Sequence, residues 1–543
     1  MNPHDATNQL PSHNGSPRVA ILGGGGLFAG ATDSDAFHAL LERGDHALRP
    51  LPPHRVGRER PEDLLGHPPT DPDTVASLQA GWLDDTAIDP HAAWDALGLP
   101  GAPGLGRTIV ERLDPTFRLA LTAATRAWGD ALGRAGPEAS ERLLDPHARI
   151  GVILGQILLP TETATRFTLR RLTEEWLKTD NSRASRPWDD VLPPVDPANL
   201  AVGGWTATLV ARWLGITRPV VAFTLDAACA SSLYAVKLAR DELLAGRADI
   251  MLCGGVSRPD ALYTQMGFSR LKALSPKGRP TPFDQSGDGL IVGEGAGMFI
   301  LTRWDESTSE TRLTRPRAFL VAAGLSNDLR GGLLAPASEG QLRAMRSAYA
   351  QAGWRPGQVD WIECHATGTP VGDAVELESL HTLWRDAGEQ GPPGRCPLGS
   401  VKSNVGHALT AAGAAGLLKL LIALETRRIP PTSGHRNPLP ALDSQTSPFR
   451  VPSQAESWLP RHPDQPRRAA LSGFGFGGIN AHLLIEEVLE NSRNGSSTGS
   501  APSIDPWKAN ARDTGSFIPL AVVGMAIRTD RHHDLTAVRT ALF

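Results

Sequence analysis

Cysteine is scarce, with four in 543 residues: Cys229, Cys253, Cys364 and Cys396. Their spacings match no zinc-ligand pattern, and four are too few for a disulfide framework, so a metal site is not expected and a reducing, cytoplasmic compartment is. An excess of either charge is also missing. The formal net charge is −4, which excludes the broad basic face of a nucleic-acid binder. No run approaches the roughly 18 consecutive apolar residues of a membrane span. Residues 1–17 are polar, lack an apolar h-region and read as a flexible leader without a secretory signal. Glycine (56) and proline (45) are plentiful, as in a chain with many turns and close backbone approaches. The length exceeds what one hydrophobic core usually serves, so two or three structural units are expected.

Apolar runs alternate with helical periods along the chain. Residues 18–22 form a short apolar run that enters a glycine loop at Gly23 to Gly26, and a helix is predicted over 35–42 with Ser34 as its N-cap. The Pro- and Arg-rich stretch 49–73 reads as surface loop. Helical spacing returns at 116–132, where Leu119, Leu121, Ala124 and Trp128 share a face, and again at 161–178. Strands are predicted at 149–155, 220–225, 249–255, 359–363, 397–402, 469–472 and 482–485. Residues 180–197 form a long connector. The sequence strand, Cys229, helix, strand between 220 and 255 is a βαβ unit. Residues 491–515 are Ser-, Gly- and Asp-rich and read as linker. Residues 518–525 then repeat the strand-to-glycine pattern of the opening, as the start of a second, related domain.

Three segments carry chemistry. The first is Asp226-Ala227-Ala228-Cys229-Ala230-Ser231-Ser232, a cysteine at a strand-to-helix turn. An isolated cysteine is usually a core residue, the reading adopted for Cys253, Cys364 and Cys396. Cys229 differs, because a helix N-terminus stabilises a thiolate and the flanking alanines leave room for substrate. The second is Glu363-Cys364-His365-Ala366-Thr367-Gly368-Thr369 and the third Ser400-Val401-Lys402-Ser403-Asn404-Val405-Gly406-His407. A loop histidine by itself is usually structural. Two neutral imidazoles after strand ends, however, suit the developing oxyanion of a thioester enolate. Lys402, at the end of a buried strand, needs a partner, and Glu294 is the candidate. The turn Gly473-Phe474-Gly475-Phe476-Gly477-Gly478 reads both as a tight link between strands and as a source of backbone N–H groups. Gly24-x-Gly26-x-x-Ala29 formally matches a dinucleotide fingerprint, but four consecutive glycines satisfy many templates and no ribose-binding acid follows at the expected distance.

Taken in order, these motifs resemble the β-ketoacyl synthase family of condensing enzymes, from about residue 18 to 487. The phrasing around Cys229 and the stretch Gln265-Met266-Gly267-Phe268-Ser269 are most similar to ketosynthase domains of polyunsaturated fatty acid synthases and iterative type I polyketide synthases. The resemblance implies a thiolase fold, with two αβαβα halves (about 18–300 and 301–487) stacked in five layers as a homodimer. A linker at 488–516 and a truncated second ketosynthase-like domain at 517–543 would follow. It implies an acyltransferase that condenses malonyl-carrier protein with an acyl chain held on Cys229. His365 and His407 would stabilise the enolate, and backbone N–H groups of Cys229 and Phe476 would form an oxyanion hole. Thr367 and Thr369 would contact the phosphopantetheine arm of an acyl carrier protein, and Lys402 with Glu294 would make a supporting pair. No cofactor bound directly and no metal is implied. The alternative within the family is a non-elongating partner, a chain-length factor or malonyl decarboxylase. Ala366, Ala230 and Ile479 depart from the family's usual Gly, Ser and Thr.

Overall fold

The computed structural model describes residues 18–489 except 58–59, 67–72, 99–101, 136–139, 142, 144, 146, 180–195, 197–198, 201, 305–314, 330–331, 333–334, 390–391, 443–444 and 446. The expected leader, most of the 180–197 connector, the 491–515 linker and the second-domain start lie outside the described residues. The described residues belong to one compact unit.

Ten strands carry the fold: β1 (Arg18–Phe28), β2 (Ile150–Gln156), β3 (Ala222–Leu225), β4 (Ile250–Ser257), β5 (Gly295–Trp304), β6 (Ala318–Asn327), β7 (Trp361–Glu363), β8 (Cys396–Gly399), β9 (Arg468–Gly475) and β10 (Ile479–Glu486). The first five run in spatial order β3-β2-β4-β5-β1 and the second five in order β8-β7-β9-β10-β6. The pairing senses repeat as well. β2 is parallel to β3 and β4, as β7 is to β8 and β9; the remaining neighbours within each set are antiparallel. The second half therefore reproduces the first. The two sheets meet edge to edge through Val19↔Leu320, Ala20↔Phe319 and Ile21↔Ala318. A two-residue strand, Phe449–Arg450, extends the β8 edge.

Among the described residues the helices of nine or more residues are α1 (Ser34–Glu42), α2 (Pro115–Arg134), α3 (Glu162–Thr179), α4 (Val202–Trp213), α5 (Ser231–Leu244), α6 (Ala261–Arg270), α7 (Ser338–Ala352), α8 (Pro370–Asp386) and α9 (Ala412–Thr426). Strand alternation sorts side chains into three cores. Val19, Ile21, Met251 and Cys253 join α5 and α9 between the sheets, while Ala20, Leu22, Ile250 and Leu252 join α2 and α4 on the outer face. Ile362, Leu398 and Leu484 pack with α7 and α8 on the other outer face. The result is five layers, the duplicated αβαβα arrangement that the resemblance implies. Leu409–Thr426 is apolar and long enough to cross a membrane, yet 89% of it is buried here as the central helix.

Two local expectations are corrected. Gly23 to Gly26 are not a loop; they lie inside β1. A Cβ on Gly23 would stand 2.5 Å from the Ala127 carbonyl oxygen, and one on Gly25 2.6 Å from the Ala127 nitrogen. The glycines let α2 lie directly on the strand, so they form no phosphate loop. The N-cap of α1 is Asp33, which accepts the Ala36 N–H at 2.8 Å, not Ser34. Both carry the short oxygen acceptor a cap requires, and backbone geometry selects between them.

Candidate active site

β3 delivers the chain to a turn that fixes Cys229. Asp226 accepts the N–H groups of Ala228 (2.9 Å) and Leu158 (3.1 Å). Ser231 accepts the Ala227 N–H at 2.8 Å and donates to the Ala228 carbonyl at 2.6 Å. These bonds hold Ala228 at φ +48°, a left-handed conformation that costs a non-glycine residue about 1–3 kcal/mol. α5 begins at Ser231 with Ala230 as cap, so Cys229 precedes the helix rather than lying in its first turn. Cys229 is only 4% exposed. Burial pushes its thiol up to about 12, against the Lys402 charge and the N–H groups of Phe476 and Cys229 itself, which act on the sulfur in the other direction. A Cβ on Gly475 would stand 3.1 Å from the Cys229 nitrogen, which is how closely the glycine turn is drawn over Cys229.

His365 follows β7, in a loop held from below by two acids near the start of α8. Glu376 accepts the N–H groups of His365 (2.8 Å) and Ala366 (2.7 Å). Asp373 accepts those of Thr367 (3.0 Å), Gly368 (3.2 Å) and Phe283 (2.8 Å). Ala366 has no left-handed φ, so alanine fits there without strain. The Thr367 and Thr369 hydroxyls lie 3.0 Å apart on the same loop. β8 leads into a single helical turn, Lys402–Val405, then Gly406 and His407. The expected strand thus ends at Gly399, before Lys402. His407 is fixed through its backbone, donating to Ile291 at 2.7 Å and accepting from Gly293 at 2.9 Å. The two imidazoles stand 5.3 Å apart, nearly perpendicular at 82°. Burial holds both neutral, His407 at about 3 and His365 well below its ordinary value, with Lys402 adding to each shift. Nδ1 of His407 is buried without a hydrogen-bond partner.

Lys402 is buried and ties the groups together electrostatically. Its ammonium donates to the Cys364 carbonyl at 3.3 Å. Burial lowers its pKa, while Glu363 and Glu376 favour the charged form. The expected Lys402–Glu294 pair does not form. Glu294 faces Arg55, lies 3.8 Å from Arg258, and accepts the Leu83 N–H at 3.1 Å. Local sequence puts both Glu294 and Lys402 beside glycine segments, but the fold gives Glu294 two buried arginines instead. Its neighbour Gly293 donates to the His407 carbonyl, so the backbone links this arginine cluster to His407. Asp373, Glu376 and Lys419 are neighbours of the site that motif reading misses, and Glu363 stands in a motif without a role read for it. Asp373 and Glu376, three apart near a helix start, carry a usable signal, since that spacing places both on one face. Among the described residues no group of three or more His, Cys, Asp or Glu could hold a metal ion.

Comparisons with known proteins agree with this geometry. The family model "Beta-ketoacyl synthase, N-terminal domain" matches residues 16–307, and the corresponding C-terminal domain matches 317–436. The chain is 37% identical over 491 residues to one component of the phenolphthiocerol/phthiocerol polyketide synthase of Mycobacterium tuberculosis, covering 89% of this chain and 28% of that protein. It is 36% identical over 271 residues to a component of the polyunsaturated fatty acid synthase of Thraustochytrium sp., covering 49% of this chain and 12% of that one. The chain thus spans a minor part of the curated relatives it matches. Among solved structures, the PfaC keto synthase-chain length factor superposes with a TM-score of 0.74 at 32% identity, covering 89% of this chain and 49% of that chain. The ketosynthase from module 6 of the bacillaene synthase of Bacillus subtilis 168 gives 0.68 at 27%, covering 87% and 72%. The five-layer architecture is the thiolase fold of these ketosynthases.

Proposed function

The chain belongs to the β-ketoacyl synthase family, and from that premise we propose that it performs decarboxylative Claisen condensation on carrier-protein thioesters, elongating a polyketide or polyunsaturated fatty acid chain. One observation carries the reading: two imidazoles 5.3 Å apart share the field of Lys402 with a buried thiol that the N–H groups of Phe476 and Cys229 face.

At rest the Cys229 thiol is protonated, so a neutral imidazole takes its proton as sulfur attacks the acyl thioester. The N–H groups of Cys229 and Phe476 hold the tetrahedral oxyanion, and the pantetheine sulfur leaves with a proton. A malonyl thioester then enters past Thr367 and Thr369, whose hydroxyls would bond the pantetheine arm. Its carboxylate departs as CO2, and the electron pair of the broken C–C bond passes to the thioester oxygen. Nε2–H groups of His365 and His407 stabilise that enolate. Its carbon attacks the acyl carbonyl, the C–S bond to Cys229 breaks, and the thiolate takes a proton from water, the original one having left on the pantetheine thiol. No metal or redox cofactor enters these steps.

Exposed cations at Arg270, Lys272, Lys277, Arg279 and Arg436 lie on segments that abut the Gly368 loop. Their charge suits an acidic carrier-protein helix. The edge strand β3 exposes Phe223, and Val220 just before it, Leu158, Leu200 and Trp205 are exposed apolar residues as well. That apolar edge supports a homodimer formed with a second copy.

Intact-protein mass spectrometry after incubation with acyl-pantetheine thioesters tests the reading. An acyl mass on wild type but not on Cys229→Ala is the expected result. Loading that persists on Cys229→Ala would remove Cys229 as the acceptor. Malonyl decarboxylation without any loading would make the chain a non-elongating partner.

A further inference from the structure

Glu363 and Lys419 form an ion pair in which neither side chain has any exposed surface, with Oε2 2.8 Å from Nζ. Such a pair forfeits two hydration shells, and a well-packed apolar pair often serves stability as well or better. Its placement supplies another reason for it. Glu363 ends β7, two residues before His365. Its Oε1 accepts, at 2.6 Å, the N–H of Val401, the residue before Lys402. Lys419 comes from α9, in the middle layer. Three elements therefore meet on one carboxylate. The backbone ladder between β7 and β8 is only two residue pairs long, Leu398↔Ile362 and Gly399↔Glu363. So short a ladder does little to fix the loops beyond it. The space around the pair is tight: a Cβ on Gly399 would stand 2.9 Å from Glu363 Oε2 and 3.1 Å from Lys419 Nζ.

We propose that Glu363 and Lys419 are positioning residues of the condensation step, the carboxylate clasping the ends of β7 and β8 and so setting how His365 and His407 face each other. This rests on the condensing reading above. Acyl loading draws on one imidazole as base and on the backbone donors at Cys229, whereas the enolate needs both imidazoles aligned at once, so condensation is the more sensitive of the two half-reactions.

Two charge-free double variants of the full chain test the clasp, since neither strips one partner of the pair and leaves the other ionised, and Lys402 keeps Glu376 in both. Glu363→Gln/Lys419→Met keeps an acceptor for the Val401 N–H; Glu363→Met/Lys419→Met removes it. Acyl loading is read by mass spectrometry, condensation by product formation from a malonyl-pantetheine thioester, and folding by thermal melting. Loading is expected within about threefold of wild type in both, with condensation about tenfold or more lower in the Met/Met variant through kcat rather than KM. Equal condensation in the two folded variants overturns the proposal. If Met/Met does not fold, Gly399→Ala decides, because its methyl presses on the pair from outside. A lowered ratio of condensation to loading supports the clasp, and an unchanged ratio overturns it. Wild type that neither loads nor condenses overturns the condensing reading itself.

Discussion

Burial sets the charge states on which the site depends. With His407 held at about 3 and His365 well below its ordinary value, neither imidazole titrates near neutrality. The acids behind them do: burial pushes Glu376 up to about 7 and Asp373 to about 6. For stability the sign is clear. Between its ordinary 4.5 and about 7, folded Glu376 keeps a proton that the unfolded chain has released. Its contribution is full below 4.5 and lost as pH rises through about 7. The loop geometry has the opposite preference, because an ionised carboxylate accepts both the His365 and Ala366 N–H groups. Condensation is therefore expected to fall as pH drops below about 7. Glu376→Gln, with one acceptor oxygen, should remove that acid limb and slow condensation about 10–100-fold, while costing about 1–3 kcal/mol of stability. Rate profiles of both proteins check this, and an acid limb that survives in Glu376→Gln would shift the titration elsewhere. The sequence pointed to Cys229, His365 and His407 as the candidate reacting groups. It did not show that the acids beneath them titrate higher than the histidines, because desolvation depends on what surrounds a group.

Periodicity places most elements within a few residues, and the exceptions have physical causes. β1 continues through four glycines because its neighbours on the sheet and α2 above it supply order that glycine does not. Gly25→Val should drive a side chain into the α2 backbone and cost about 1–3 kcal/mol or more. A lowered urea midpoint is the expected result, and an unchanged one would mean the close approach is dispensable. The edge strand β3 makes a second prediction. Phe223→Asp places a charge on the apolar edge and is expected to shift the chain toward monomer in light scattering. An unaltered mass would place any dimer contact elsewhere.

The fold is a duplication, and the duplication explains where the chemistry lies. Cys229 follows β3 and His407 follows β8, equivalent strands of the two halves. Each strand is followed by a central helix, α5 or α9, and these pack on each other: Ser232 accepts the Ala414 N–H at 3.0 Å, and a Cβ on Gly413 would stand 2.6 Å from Leu233 Cγ. Since α9 from the second half packs on β1 and β5 of the first, residues 18–300 expressed alone should show no cooperative melt by far-UV circular dichroism. A sharp transition would mean the first half closes its core unaided. By itself, the sequence determined the strand-end position of each reacting group and the glycine-rich turn above the nucleophile, since both are written in local spacing. The tertiary structure alone decided that Lys402 answers to Glu363 and Glu376 rather than Glu294, that Glu294 belongs to Arg55, and that Lys419 reaches the ends of β7 and β8. These partners are distant in the chain, and only the stacking of two sheets on one pair of central helices brings their charges together out of water.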